Sequence, residues 1–109
     1  MSFRLERLEK ILEREVSTIL MNSKDERLRF VIVTNVRLTG DLSIATVYYT
    51  VMGNNDVNEI SNSLNDAKGF IRSSLGKVLE VKKIPELKFK YDESLEYGKK
   101  IENILKGLN

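Results

Sequence analysis

The sequence predicts an α+β fold: a three-stranded sheet with helices on one face, in the order helix, strand, strand, bent helix, strand, helix. Three observations carry this. Apolar residues recur at helical spacing over the first twenty or so positions and again from Val57 to Val78. Two β-rich runs, Phe30 to Thr39 and Leu42 to Met52, are separated by Gly40-Asp41, a two-residue hairpin signal. Further on, Leu87, Phe89 and Tyr91 alternate with Lys88 and Lys90, as in a strand with one apolar and one cationic face.

Ser2 is placed to cap a first helix running from Phe3 to about Asn22, with Leu5, Leu8, Leu12, Val16, Ile19 and Leu20 as its core stripe. Its outer surface mixes Arg4, Arg7, Lys10 and Arg14 with Glu6, Glu9 and Glu13. Pairs such as Glu6–Lys10 and Lys10–Glu13 lie one turn apart and support the helix. The polar run Asn22 to Glu26 ends it. With Gly40-Asp41 as the turn, Leu38 faces Ser43, Val36 faces Ala45, Thr34 faces Val47, Ile32 faces Tyr49 and Phe30 faces Val51. That register predicts Phe30, Ile32, Val36, Ala45, Val47 and Tyr49 on the buried face, joined by Leu87, Phe89 and Tyr91. The opposite face receives Val31, Val33, Asn35, Arg37, Ile44, Thr46, Tyr48 and Thr50. Tyr48 has two readings there, as a stacking ring for a base or as the cross-strand partner of Val33.

Asp56, with Glu59 three residues on, makes a capping-box-like start for the second helix. Val57, Ile60, Leu64 and Ala67 keep its stripe before the middle, and Ile71, Leu75 and Val78 keep it afterwards. Between the halves lies Ala67-Lys68-Gly69. A glycine inside a helix costs about 1 kcal/mol against alanine, which makes this the expected site of a bend. Lys82-Lys83-Ile84-Pro85 stops the helix before the third strand. Asp92 then caps a last helix carrying Leu95, Ile101, Ile104, Leu105 and Leu108. The pattern does not say which strand is central.

A chain of 109 residues, 41% hydrophobic and 31% charged, suits one folded domain over residues 1–109. Cysteine and histidine are both absent. Disulfides, Cys/His zinc sites, thiol nucleophiles and imidazole bases are thereby excluded. No apolar run approaches the ~20 residues of a membrane span, and the amphipathic, charged start is unlike a signal peptide, so a cytoplasmic protein is expected. Gly69 and Gly76 lack the strand-loop-helix context of a phosphate loop, and Asp25, Glu26 and Asp41 read as solvated loop acids. Neither an enzyme nor a cofactor or small-molecule substrate is expected.

The net charge of +2 is unevenly placed. It is +1 over residues 1–29, −3 over 30–66, +4 over 67–92 and zero over 93–109. The +4 segment holds Lys68, Arg72, Lys77, Lys82, Lys83, Lys88 and Lys90, carried by the second helix, the connection and the third strand. Cations on rigid elements suit a polyanion met on one side, and backbone amides freed at a bend would add a weak anion site. The same distribution also fits a solvated lysine face. Arg4 and Arg7 are a further pair within reach of phosphates, though helix support explains them as well.

Ala67-Lys68-Gly69-Phe70-Ile71-Arg72, Leu75-Gly76-Lys77, Pro85-Glu86-Leu87, Phe89 and Tyr91-Asp92-Glu93-Ser94-Leu95 resemble the matching run of the bacterial ribosome-binding factor A family. The likeness extends upstream through Asp25-Glu26-Arg27-Leu28, Val33-Thr34, Gly40-Asp41-Leu42 and Ala45-Thr46-Val47-Tyr48. It covers about Arg4 to Ile104, and its specificity lies in the order and spacing of the pieces. Glu26 departs from the proline frequent in that family before the arginine. The resemblance implies a type II K-homology-like domain, with Ala67-Lys68-Gly69 where ordinary K-homology domains carry a Gly-x-x-Gly loop. It implies a monomer that binds 16S ribosomal RNA on the free 30S small subunit, assists late maturation and 5′-end processing, and matters most at low temperature. The seven cations are the expected RNA contact. The alternatives are another K-homology-like RNA-binding protein or a protein–protein adaptor.

Overall fold

A computed structural model describes residues 3–94, with five main elements between them. The predicted cap at Ser2 and the predicted last helix from Leu95 on lie outside the described residues; Asp92, its predicted cap, accepts the Ser94 N–H at 3.1 Å. Helix α1 spans Phe3–Met21, close to its predicted bounds. Leu12, Val16 and Leu20 are buried, and Leu5, Leu8 and Ile19 pack partly buried against them. One charged residue departs from the expected outer surface. Glu9 is 9% exposed, and its Oε2 accepts the backbone N–H of Leu38 at 2.8 Å. An edge-strand amide that would otherwise be buried without a partner is satisfied by the helix beside it.

The chain after α1 does not pass directly into a strand. Glu26–Phe30 forms a 3₁₀-helix, N-capped by Asp25, whose Oδ1 accepts the Arg27 N–H at 3.0 Å. Leu28 within it is buried. Strands β1 (Val31–Leu38) and β2 (Ile44–Val51) are antiparallel, and β3 (Glu86–Tyr91) runs parallel to β2. The sheet order is β1-β2-β3, so β2 is central. A parallel neighbour requires a crossover, and α2 (Val57–Val78) supplies it.

The predicted hairpin register is corrected in two steps. The turn is wider than Gly40-Asp41: Thr39 N–H donates to Ile44 C=O at 3.0 Å, and Leu42 N–H closes back on Thr39 C=O at 2.9 Å. Leu42, not Gly40, takes the left-handed conformation, at φ 63°. Leu38 therefore pairs with Ala45 and Val36 with Val47, a shift of two that leaves the faces as predicted. A second irregularity falls between Val33 and Asn35, after which Val33 pairs with Tyr49, Ile32 with Thr50 and Val31 with Val51. The extra residue is Thr34, whose hydroxyl donates to Asp92 Oδ2 at 2.7 Å. Such a bulge inverts the alternation on one strand. Val31 is accordingly buried, while Phe30 and Ile32, predicted inside, are 39% and 41% exposed.

Helix α2 starts as predicted, with Asp56 Oδ1 accepting the N–H groups of Asn58 and Glu59. Ile60, Leu64, Ile71 and Leu75 are its buried stripe, but Val78, assigned to that stripe, is 56% exposed. The two halves form one α-helix that remains helical through Ala67, Lys68 and Gly69. A Cβ added at Gly69 meets nothing within 4 Å. The core lies between the helices and one side of the sheet, where Val36, Ala45, Val47, Tyr49 and Leu87 are all buried. Tyr91 closes one end, its ring edge-on to Tyr49 at 5.8 Å between centroids.

Candidate nucleic-acid interface

The seven cations of the +4 segment are set out by three elements with different orientations. Lys88 and Lys90 alternate along β3 with Leu87, which is buried beneath the helices. Their side chains therefore stand on the opposite side of the sheet, which is helix-free among the described residues. Lys77 is exposed in the last turn of α2, and Lys68 is half-buried nearer its middle. Lys82 and Lys83 are exposed on the connection between α2 and β3. The cluster contiguous in sequence is thus divided between the helix layer, the connection and the far side of the sheet. Among the described residues, none of the seven forms an ion pair.

Arg72 is placed differently from the other six. Its Nε donates to Pro85 C=O at 3.2 Å and its Nη2 to Ile84 C=O at 3.0 Å. The guanidinium bridges α2 to the segment entering β3, where Pro85 cannot donate a ladder bond of its own. An acid such as Glu80 would have been the obvious partner in sequence, but two backbone carbonyls take that place. Arg72 is exposed, and these two bonds use two of the five guanidinium N–H donors.

Arg37 joins the helix-free face from the other edge. In register, Arg37, Thr46 and Lys88 form one row across the sheet, and Asn35, Tyr48 and Lys90 form the next. Only parity signals Arg37 in the sequence, since it shares its face with Thr46 and Tyr48. It sits in an acidic stretch, outside the basic segment, and a charge count passes over it.

Among the described residues, the remaining cations are mostly committed to local partners. Lys10 pairs with Glu13 at 3.4 Å, one of the pairs expected on α1. Arg27 bridges Asp25 and Glu59, and its hydrogen bond to Asp25 holds that carboxyl below its ordinary range. Arg4 and Arg7 line an open cavity of about 660 Å³ whose other walls include Leu8, Ile11, Leu42 and Val81. In the hairpin loop, Asp41 accepts from the Ser43 and Thr39 hydroxyls, each at 2.7 Å. Those bonds hold its carboxyl down at about 2. Among the described residues, no helix is long and apolar enough to cross a membrane.

Comparison with known proteins agrees with this architecture. The family model for ribosome-binding factor A matches residues 4–105. Ribosome-binding factor A of Staphylococcus saprophyticus is 46% identical over 111 aligned positions, covering 100% of this chain and 97% of its own. The crystal structure of ribosome-binding factor A from Thermus thermophilus superposes with a TM-score of 0.75 at 24% identity, over 82% of this chain and 97% of that one. A homology model of the Thermus thermophilus factor, fitted into the cryo-EM map of its complex with 30S, superposes at 0.67 with 24% identity. It covers 80% of this chain and 93% of that one.

Proposed function

The chain belongs to the ribosome-binding factor A family, and on that premise we propose that it binds the free 30S small ribosomal subunit through 16S ribosomal RNA. There it assists late maturation, including processing of the RNA 5′ end. It acts by binding rather than catalysis, as one monomeric domain over residues 1–109 in the cytoplasm, with its importance greatest in the cold. The observation that carries this reading is similarity across the whole chain to a named ribosome-binding factor. The fold's likeness to a factor fitted into a 30S complex adds the choice of subunit.

Electrostatics supports RNA as the component recognised. Lys77, Lys82, Lys83, Lys88 and Lys90 are exposed and without ion-pair partners among the described residues. Lys68 and the outward part of Arg72 complete the proposed contact. Sedimentation with isolated small subunits and with whole ribosomes tests the function directly: co-migration with the free subunit alone is expected, and no co-migration overturns the reading. For the contact, single alanine replacements of Lys77, Lys82, Lys83 and Lys88 should each lower the salt slope of subunit binding by about one. Lys106→Ala, outside the basic segment, serves as the control. Unchanged slopes in all four would move the contact elsewhere, first to Arg4 and Arg7. Arg72→Ala is a poor probe by itself, because it also releases the carbonyls of Ile84 and Pro85.

A further inference from the structure

We propose that the helix-free face of the sheet is a platform on which an unpaired RNA base stacks against Tyr48. The inference rests on the RNA-binding reading above and says what one surface of that contact takes. Tyr48 is half-buried on the central strand, with Asn35 opposite it on β1 and Lys90 opposite it on β3. Val33, the apolar partner expected from sequence, lies across from Tyr49 instead. Tyr48 therefore has a polar side chain, not Val33, directly opposite it. Among the described residues its ring meets no other ring and its hydroxyl takes no hydrogen bond. Tyr49 shows the contrast: it is 1% exposed and packed edge-on to Tyr91.

What surrounds Tyr48 suits a nucleotide. Lys90 lies beside it, and Lys88 and Arg37 occupy the adjoining row. Glu86, opposite Ile44, is two rows from the ring, and Asp92, two residues beyond Lys90, is the nearer acid, its Oδ2 accepting the Thr34 hydroxyl at 2.7 Å. The Asn35 Oδ1 accepts the Val36 N–H at 3.0 Å, which orients the side chain and leaves its amide N–H groups as donors toward a base edge. An aromatic ring on a strand, flanked by cations and one oriented amide, is how open sheets take single-stranded RNA: the ring stacks on the base and the cations meet phosphates. On this face the exposed apolar groups begin in the neighbouring row, at Ile32 opposite Thr50, and run on to Phe30 and Met52, while the row on the other side of Tyr48 holds Arg37 and Lys88.

The test uses the whole chain, a fluorescein-labelled oligoadenylate and anisotropy across a potassium chloride series. Tyr48→Ala and Tyr48→Leu should each weaken binding about tenfold, while Tyr48→Phe keeps it, because stacking needs the ring and not the hydroxyl. The leucine variant retains apolar bulk should the alanine variant fold poorly. Tyr48 variants should leave the salt slope unchanged, whereas Lys90→Ala should lower it by about one. The proposal is overturned if wild-type protein does not bind the oligonucleotide, if Tyr48→Leu binds as wild type, or if Tyr48→Phe is as weak as Tyr48→Leu. Loss of small-subunit binding in Ile32→Ser, with oligoadenylate binding indifferent to Tyr48, would make the face a protein interface. Co-sedimentation of wild-type protein with small subunits is scored separately. Its failure with the Tyr48 pattern intact removes the ribosomal reading and leaves the platform, and the opposite result does the reverse.

Discussion

The two sides of the sheet carry different kinds of information. On the helix-covered side, Val36, Ala45, Val47, Tyr49 and Leu87 form an apolar surface, each below 9% exposed. On the other side the rows Arg37–Thr46–Lys88 and Asn35–Tyr48–Lys90 alternate charge, hydroxyl and ring. The first side holds the domain together; the second, among the described residues, carries no helix and is the side proposed to meet a partner. Adjacent residues on one strand therefore belong to different problems, and substitutions one position apart should separate stability from binding.

The largest separation is expected on β3. Leu87 is 1% exposed, so Leu87→Ala should cost about 2–5 kcal/mol in a urea melt. Lys88→Ala, one residue on, should stay within about 0.5 kcal/mol of wild type. Comparable losses from both would mean that β3 has no distinct solvent side.

On β1 the same contrast tests the bulge. Val31→Ala should destabilise by about 1.5 kcal/mol, since two buried methyl groups are removed. Ile32→Ala should cost less than about 1 kcal/mol, because that side chain is 41% exposed. The reverse order in denaturant melts would restore the unbulged register, with Ile32 inside.

Away from the sheet, Gly69→Ala should stabilise the protein by about 0.5–1 kcal/mol. The position is helical and a methyl group has open space there. A loss of stability would show that the helix needs the glycine for a bend.

The smallest effect concerns the loop that sets the hairpin register. The Ser43 and then the Thr39 hydroxyl hold Asp41 at about 2, against an ordinary 3.8. A carboxyl depressed in the folded state contributes its stabilisation fully above pH of about 4 and loses it as pH falls toward 2. The Ser43 amide resonance should titrate with a midpoint near 2 while the amides of β1 and β2 shift little. A midpoint at the ordinary carboxylate value would remove those hydrogen bonds from the loop.

Much of this was legible from residue order alone. The stripe of α1, the Asp56 cap, the length of the α2 pattern and the alternation on β3 are local. Helical spacing, a side-chain acceptor before an apolar run, and strict period-two alternation each imply one geometry. Family resemblance was legible for a related reason, because it lies in the order of pieces along the chain. The faces of residues 35–38 and 45–49 also followed, since an even shift in register preserves them.

Three matters required the tertiary structure. Phe30-Val31-Ile32-Val33 is apolar at both parities, so alternation cannot choose its inner face. The choice is made by the bulge at Thr34 and by the 3₁₀-helix that seats Leu28 beforehand. The central strand was open because a hairpin offers β3 two outer edges; the crossover through α2 brings it to β2. The distribution of the cations was open for the same reason. Sequence counted seven cations in one segment, but whether a side chain points to a core, a carbonyl or water depends on the face its element turns to its neighbours. Arg72 went to the Ile84 and Pro85 carbonyls, Lys88 and Lys90 to the helix-free side, and Arg37 arrived beside them from a distant, acidic stretch of the chain. Charge composition is a property of the chain, but a charged surface is made only when strands from separate segments pair.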